Sequence, residues 1–293
     1  MPKLRMIHHP GNSSLLCVAL WLGAWMLTPL YGAEGTPKMP PALPWNIIKG
    51  PALPGIEHHS FASKVVARQV GYNVWLPPGY TGGTNRYPVL YFLPGAGGNE
   101  YSCVSPVLRH VDAAVEKKRL PPVITIFCNQ GNGTFRDNRT PGVLGETMFV
   151  TEFVPEIDRQ FRTLAAREGR AVLGFSMGGS GTLRFVLGHP ETFCAGVSWG
   201  SGRLREEEPA MSRLDQVSKA GTAVMIVMGG KESPQARLLA PEFAKLLTAH
   251  GVSVQLKTPA NVPHDIDLYL KATWDDAEEL LKQHLRVGPA QKP

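Results

Sequence analysis

The stretch RAVLGFSMGGSGTLRFVLGHP, residues 170 to 190, sets Ser176 inside a GFSMG motif, with an apolar run before it and a helix-like run after it. Two readings compete. A serine ahead of a helix can simply cap the first turn. A GxSxG motif at a strand-to-helix turn instead holds its serine in strained backbone geometry with the hydroxyl exposed, as an acyl-transfer nucleophile requires. The position of the motif between AVLGF and a helix starting at Met177 favours the nucleophile.

A serine hydroxyl attacks poorly until a base takes its proton. His264, in NVPHDIDLYL, lies directly after the last predicted strand and before the last predicted helix, on a loop expected to return to Ser176. The other downstream histidines are placed less well: His189 follows the helix after Ser176, His250 falls inside an amphipathic helix, and His284 is near the C-terminus. A carboxylate must then orient the imidazole and stabilise its cationic form. Glu232, in GGKESP after the run AVMIVM, is the first choice, with Asp267 in reserve; a surface salt bridge to the adjacent Lys231 is the alternative for Glu232. Asp265 is better placed to fix the histidine's loop than to receive its N–H. For the tetrahedral oxyanion, backbone donors are expected from Met177, at the start of a helix, and from Ala96, in the glycine-rich FLPGAGGNE. Nothing in the sequence asks for a metal or cofactor.

The elements that must position these groups follow from pattern. Short, mostly apolar runs at 88–94, 122–128, 171–175, 195–200, 223–230 and 253–258 read as strands buried on both faces. Helices are expected at 104–118, 149–161, 177–187, 236–250 and 270–285. KVVARQVGYNVWLP alternates around Gly71 as an opening antiparallel pair would. Strands alternating with helices predict a mostly parallel central sheet with helices on both faces, an α/β class fold whose functional loops gather at the carboxyl ends of the strands. The long segment CNQGNGTFRDNRTPGVLGETMF is expected at the rim of the pocket.

The chain has 293 residues, 43% hydrophobic and 18% charged, enough for one large α/β domain and too apolar for a disordered chain. Residues 1–33 read as an export signal: Lys3 and Arg5 lead, SLLCVALWLGAWMLTPL forms the apolar core, and cleavage is expected near Ala33. An uncleaved membrane anchor is the alternative, because the run is close to spanning length and Tyr31 suits cleavage poorly. Loss of Lys3 and Arg5 would lower the formal charge of +6 by two, to +4. That charge is mild and scattered, and no nucleic-acid motif is present, so a nucleic-acid partner is not expected. The expected location is secreted or periplasmic, with no stable membrane association after cleavage. Residues 34–57 carry six prolines and read as an extended linker or a strap over a domain at 58–293. Cys103, Cys128 and Cys194 remain beyond the signal, an odd number without metal spacing, and are expected as small buried thiols.

The stretches VGYNVWLPPGY, YPVLYFLPGAGGNE, FVPEIDRQFRT, AVLGFSMGGSGTLRFVLGHPETFCAGVSWGSG and VPHDIDLYL together resemble the esterase-D and feruloyl-esterase-like branch of the α/β-hydrolase superfamily, the carbohydrate esterase family 1 type. The resemblance runs from about His58 to the C-terminus. It implies an α/β-hydrolase fold, the chain order nucleophile, acid, base, and a cofactor-free esterase, often acting on acetyl or hydroxycinnamoyl groups of plant polysaccharides. Small-molecule or polysaccharide-linked esters are therefore the expected partners. Two residues depart from the family pattern: Pro94 stands where histidine is usual, and Glu232 where aspartate is usual. A non-catalytic carbohydrate-binding relative and an acyltransferase whose pocket excludes water are the competing functions.

Overall fold

The computed structural model describes residues 43–286 except 130, 132–133, 138–143, 202 and 206–207. The expected export signal and the first part of the proline-rich segment lie outside the described residues.

Eight strands form one sheet: β1 (Ile56–Ser63), β2 (Arg68–Trp75), β3 (Val89–Leu93), β4 (Ile124–Cys128), β5 (Arg170–Phe175), β6 (Ala195–Trp199), β7 (Ala223–Val227) and β8 (Ser253–Lys257). Their order across the sheet is β1-β2-β4-β3-β5-β6-β7-β8. The β1–β2 and β2–β4 pairs are antiparallel, and every pair from β4 to β8 is parallel. The opening hairpin turns at residues 64–67, where Ala67 takes φ 50°, so Gly71 lies within β2 rather than at the turn.

The helices are α1 (Val104–Glu116), α2 (Gly145–Met148), α3 (Val154–Gln160), α4 (Met177–Gly188), α5 (Leu214–Ala220), α6 (Pro234–Ala249) and α7 (Ile266–His284). The helix expected at 149–161 is interrupted: Phe149–Phe153 forms one wide π turn between α2 and α3. It directly precedes the turn containing Pro155, which has no N–H for a regular helical bond.

Successive strand residues point to opposite faces, and both faces are apolar. Val89, Tyr91, Leu93, Val172, Val224 and Ile226 pack with Ile157, Leu183, Phe185, Val217 and Phe243 from α3 to α6. Leu90, Phe92, Leu173, Val197 and Met225 pack on the other side with Val107 and Val111 of α1 and Leu270, Trp274 and Leu281 of α7. This two-sided burial is what fixes a parallel sheet between helix layers. Among the described residues no helix is long and apolar enough to cross a membrane. Cys128 and Cys194 are buried, Cys103 is partly buried, and all three thiols are free. Burial pushes the Cys103 and Cys194 thiols up to about 11, so neither supplies a thiolate near neutrality.

Candidate active site

Ser176 sits at the junction of β5 and α4 with φ 56° and ψ −118°, backbone geometry that an L-residue rarely adopts. The turn is tight enough to require glycine on both sides. A Cβ on Gly174 would lie 2.2 Å from the carbonyl oxygen of Gly178, and one on Gly178 would lie 2.0 Å from that of Leu93. The Ser176 N–H donates to the Trp199 carbonyl at 2.7 Å, tying the turn to β6. The Ser176 side chain makes no capping bond to α4, which removes the helix-cap reading. Its Oγ lies 2.9 Å from His264 Nε2.

His264 is on the loop between β8 and α7, as its place in the sequence implied. Its Nδ1 meets Glu232 Oε1 at 2.6 Å, and its ring leans on Phe175 with centroids 4.7 Å apart. With Nδ1–H donating to the carboxylate, Nε2 is left as the acceptor facing the serine hydroxyl. The His264 side chain is 45% exposed and that of Glu232 only 10%. Two backbone bonds draw the loops after β7 and β8 together: the Gly230 N–H donates to the Pro259 carbonyl at 2.8 Å, and the Lys231 N–H to that of Val262 at 3.0 Å. Among the described residues no ion pair joins Lys231 to Glu232.

The other candidates are elsewhere. Asp267 pairs with Arg109 at 3.6 Å, and Asp265 caps α7 by accepting from the Leu268 N–H at 3.0 Å. His189 meets Glu146 at 2.8 Å, and His250 lies 3.8 Å from Asp215. His284 ends α7, where burial lowers its affinity for a proton. Tyr269, which no sequence motif marks, donates its O–H to Glu232 Oε1 at 2.6 Å and accepts the Gly229 N–H at 2.8 Å. Burial, reinforced by the bond to Glu232, holds this phenol well above the usual tyrosine range, so it stays a donor. The available signal was its place one turn beyond the Asp265 cap, on the apolar stripe of α7.

The glycine-rich turn after β3 lies against the serine: a Cβ on Gly95 would be 3.3 Å from that of Ser176. Ala96 follows at the exposed tip of this turn, and Met177 opens α4 with its N–H outside the intrahelical pattern. Beside Ser176 is a hollow of about 410 Å³ whose lining is largely polar, with Ser180, Ser201, Arg203, Ser233 and Gln235. None of the described residues of the expected rim segment, 128–149, lines it; the loop after β6 and the first turn of α6 do. Among the described residues no group of three or more His, Cys, Asp and Glu side chains is placed to hold a metal ion.

Comparison with known proteins agrees with the fold. A family model described as "Putative esterase" matches residues 63–286. An esterase of Mycobacterium tuberculosis is 30% identical over 159 residues, which cover 53% of this chain and 34% of that protein. An endo-1,4-beta-xylanase/feruloyl esterase of Xylanibacter ruminicola is 30% identical over 195 residues, 61% of this chain and 25% of that protein. The chain thus spans about a third or less of the length of these curated relatives. Among solved structures, a ferulic acid esterase superposes with a TM-score of 0.67 at 22% identity, over 78% of this chain and 98% of that one. An S-formylglutathione hydrolase from Agrobacterium tumefaciens does so with a TM-score of 0.63 at 17% identity, over 82% of this chain and 100% of that one. With an eight-stranded sheet of α/β-hydrolase type and a family match covering most of its length, the chain belongs to this esterase family.

Proposed function

We propose that the chain is a serine hydrolase that cleaves carboxylic esters through an acyl-enzyme, with Ser176 as nucleophile, His264 as base and acid, and Glu232 as the carboxylate partner of His264. The observation that carries this reading is the continuous path from Ser176 Oγ to His264 Nε2 at 2.9 Å and from His264 Nδ1 to Glu232 Oε1 at 2.6 Å. Ser176 Oγ attacks the acyl carbon while His264 Nε2 takes its proton. The N–H groups of Met177 and Ala96 hold the oxyanion. As the tetrahedral adduct collapses, His264 gives the proton to the departing alkoxide, and Ser176 keeps the acyl group. Water then attacks, loses its proton to His264, and releases the acid and the serine. Glu232 stays ionised throughout and stabilises the imidazolium formed in each half-reaction.

The substrates we assign are acetyl or feruloyl esters on polysaccharides, acted on outside the cytoplasm after removal of the export signal. Similarity to proteins named as feruloyl esterases supports the acyl class. The polar hollow supports a sugar-bearing substrate, since Gln235 and the mutually bonded Ser180 and Ser201 hydroxyls, 2.7 Å apart, line it. A panel of aryl acetates, acetylated xylan and feruloylated arabinoxylan fragments tests this reading, with Ser176→Ala as control. Activity on the panel, lost in the variant, is the expected result; equal activity in the variant would refute the role of Ser176.

A further inference from the structure

Glu100 is a fully buried carboxylate, 0% exposed, that no step of the proposed reaction uses. It closes the glycine-rich turn that starts at Gly95, and both of its oxygens are occupied. Oε1 accepts the Ile47 N–H at 2.7 Å and faces His58 Nε2 at 3.3 Å, while Oε2 accepts Asn129 Nδ2–H at 2.5 Å. Its carbonyl accepts Asn73 Nδ2–H of β2 at 3.0 Å. Asn129 continues the network, donating to the Pro44 carbonyl at 3.2 Å and accepting the Gly131 N–H at 2.7 Å. The segment around Trp45 is held at the same place, because the Gly71 N–H donates to the Trp45 carbonyl at 2.7 Å and the indole lies against Gly131. One residue therefore joins these elements to the turn beside Ser176: its side chain reaches the segment before β1, His58 of β1 and the loop after β4, and its carbonyl reaches Asn73 of β2. A carboxylate removed from water is costly, and donors to both oxygens are what make it tolerable here. That cost is hard to explain by stability alone, since an apolar contact would serve packing as well.

We propose that Glu100 is a positioning residue for ester cleavage: its carboxylate clamps Ile47 and Asn129 to the end of the glycine-rich turn and thereby fixes the Ala96 N–H at the oxyanion. The inference rests on the function proposed above. A glutamine at this position has one acceptor oxygen, so it can keep the Ile47 N–H but sets an amide N–H against that of Asn129. The turn gains freedom at its far end, and the oxyanion donor loses its fixed position.

The test compares the native chain, Glu100→Gln and the exchange Glu100→Gln/Asn129→Asp, in which the new amide donates to the new carboxylate. Active sites are counted by fluorophosphonate titration, and kcat and KM for p-nitrophenyl acetate are measured per active site. Affinity for an aryl boronic acid, whose serine adduct imitates the tetrahedral intermediate, is measured alongside. In Glu100→Gln, kcat should fall by about ten- to a hundredfold and boronate affinity in parallel, with KM within about twofold. The exchange should recover a measurable part of both. Should Glu100→Gln fail to fold, Ile47→Pro removes the N–H donated to Oε1, while also fixing φ there and restricting Asn46, and should give the same split on a smaller scale where the fold is kept. A lower melting temperature with native kcat and boronate affinity per active site would overturn the proposal. So would a loss confined to KM, or an exchange no better than the single variant. Absence of labelling and hydrolysis in the native chain would refute the esterase reading and this inference with it.

Discussion

Replacing Glu232 by glutamine isolates the charge of the carboxylate from its shape. The side chain is 10% exposed, and its Oε1 receives both His264 Nδ1–H and the Tyr269 O–H at 2.6 Å. When Ser176 gives up its proton, His264 becomes a cation 2.6 Å from that oxygen. The imidazole is 45% exposed, so an effective dielectric of about 40, between the surface and bulk-water regimes, is appropriate and gives an attraction of about 3 kcal/mol. Loss of that amount from the transition state corresponds to about a two-hundredfold fall in kcat. A second effect adds to it: an amide turned to donate toward Nδ1 would favour the tautomer with hydrogen on Nε2, which cannot accept the serine proton. The assay is steady-state hydrolysis of p-nitrophenyl acetate, corrected for active sites by fluorophosphonate titration, with thermal unfolding to verify the fold. A Glu232→Gln variant with kcat within about twofold of native would refute the assignment and leave Ser176 and His264 as a dyad.

Other outcomes follow from the same geometry. His264→Ala should lower kcat by several orders of magnitude, and His189→Ala or His250→Ala should leave it near native, as measured in the same assay. Tyr269→Phe should lower kcat by about three- to tenfold, because Glu232 loses one of its two donors. Since burial and the Glu232 bond raise the affinity of the Tyr269 phenol for its proton, the phenol remains a donor below its elevated pKa. The kcat/KM profile of the native chain should therefore show no inflection from Tyr269 near pH 10 (approximately the free-phenol pKa). Ser176→Gly should abolish turnover yet raise the melting temperature by a few degrees, because glycine relieves a φ of 56° worth about 1 kcal/mol or more of strain; a lowered melting temperature would contradict that account.

The sequence was most legible where side-chain period and chemistry coincide. β3, β4, β5 and β7 read as apolar runs because each is buried on both faces, and their observed limits fall within two or three residues of the expected ones. β1 is not marked by the sequence because it is an edge strand, exposed at half of its residues, with His58, His59 and Ser60 in place of an apolar run. α5 was missed because seven residues carry only two buried apolar positions, Leu214 and Val217. The starts of α6 and α7 fall two and four residues before the expected ones because Ser233 and Asp265 cap them there. At the site, Ser176, His264 and Glu232 were readable from their loops. Tyr269 was not, since a tyrosine on the buried stripe of a helix looks like core until its hydroxyl is seen between Glu232 and Gly229. Glu100 was hidden for the converse reason: a charged residue after a glycine turn reads as solvated surface, and only the fold shows that it is 0% exposed.

The central claim is that Ser176 carries the acyl group and that His264 activates it. Intact mass spectrometry with peptide mapping, after brief exposure to a fluorophosphonate, tests it most directly. One adduct per chain is expected, on Ser176, absent in Ser176→Ala and slowed by several orders of magnitude in His264→Ala. An adduct on another residue, or labelling of Ser176 at the native rate without His264, would contradict it.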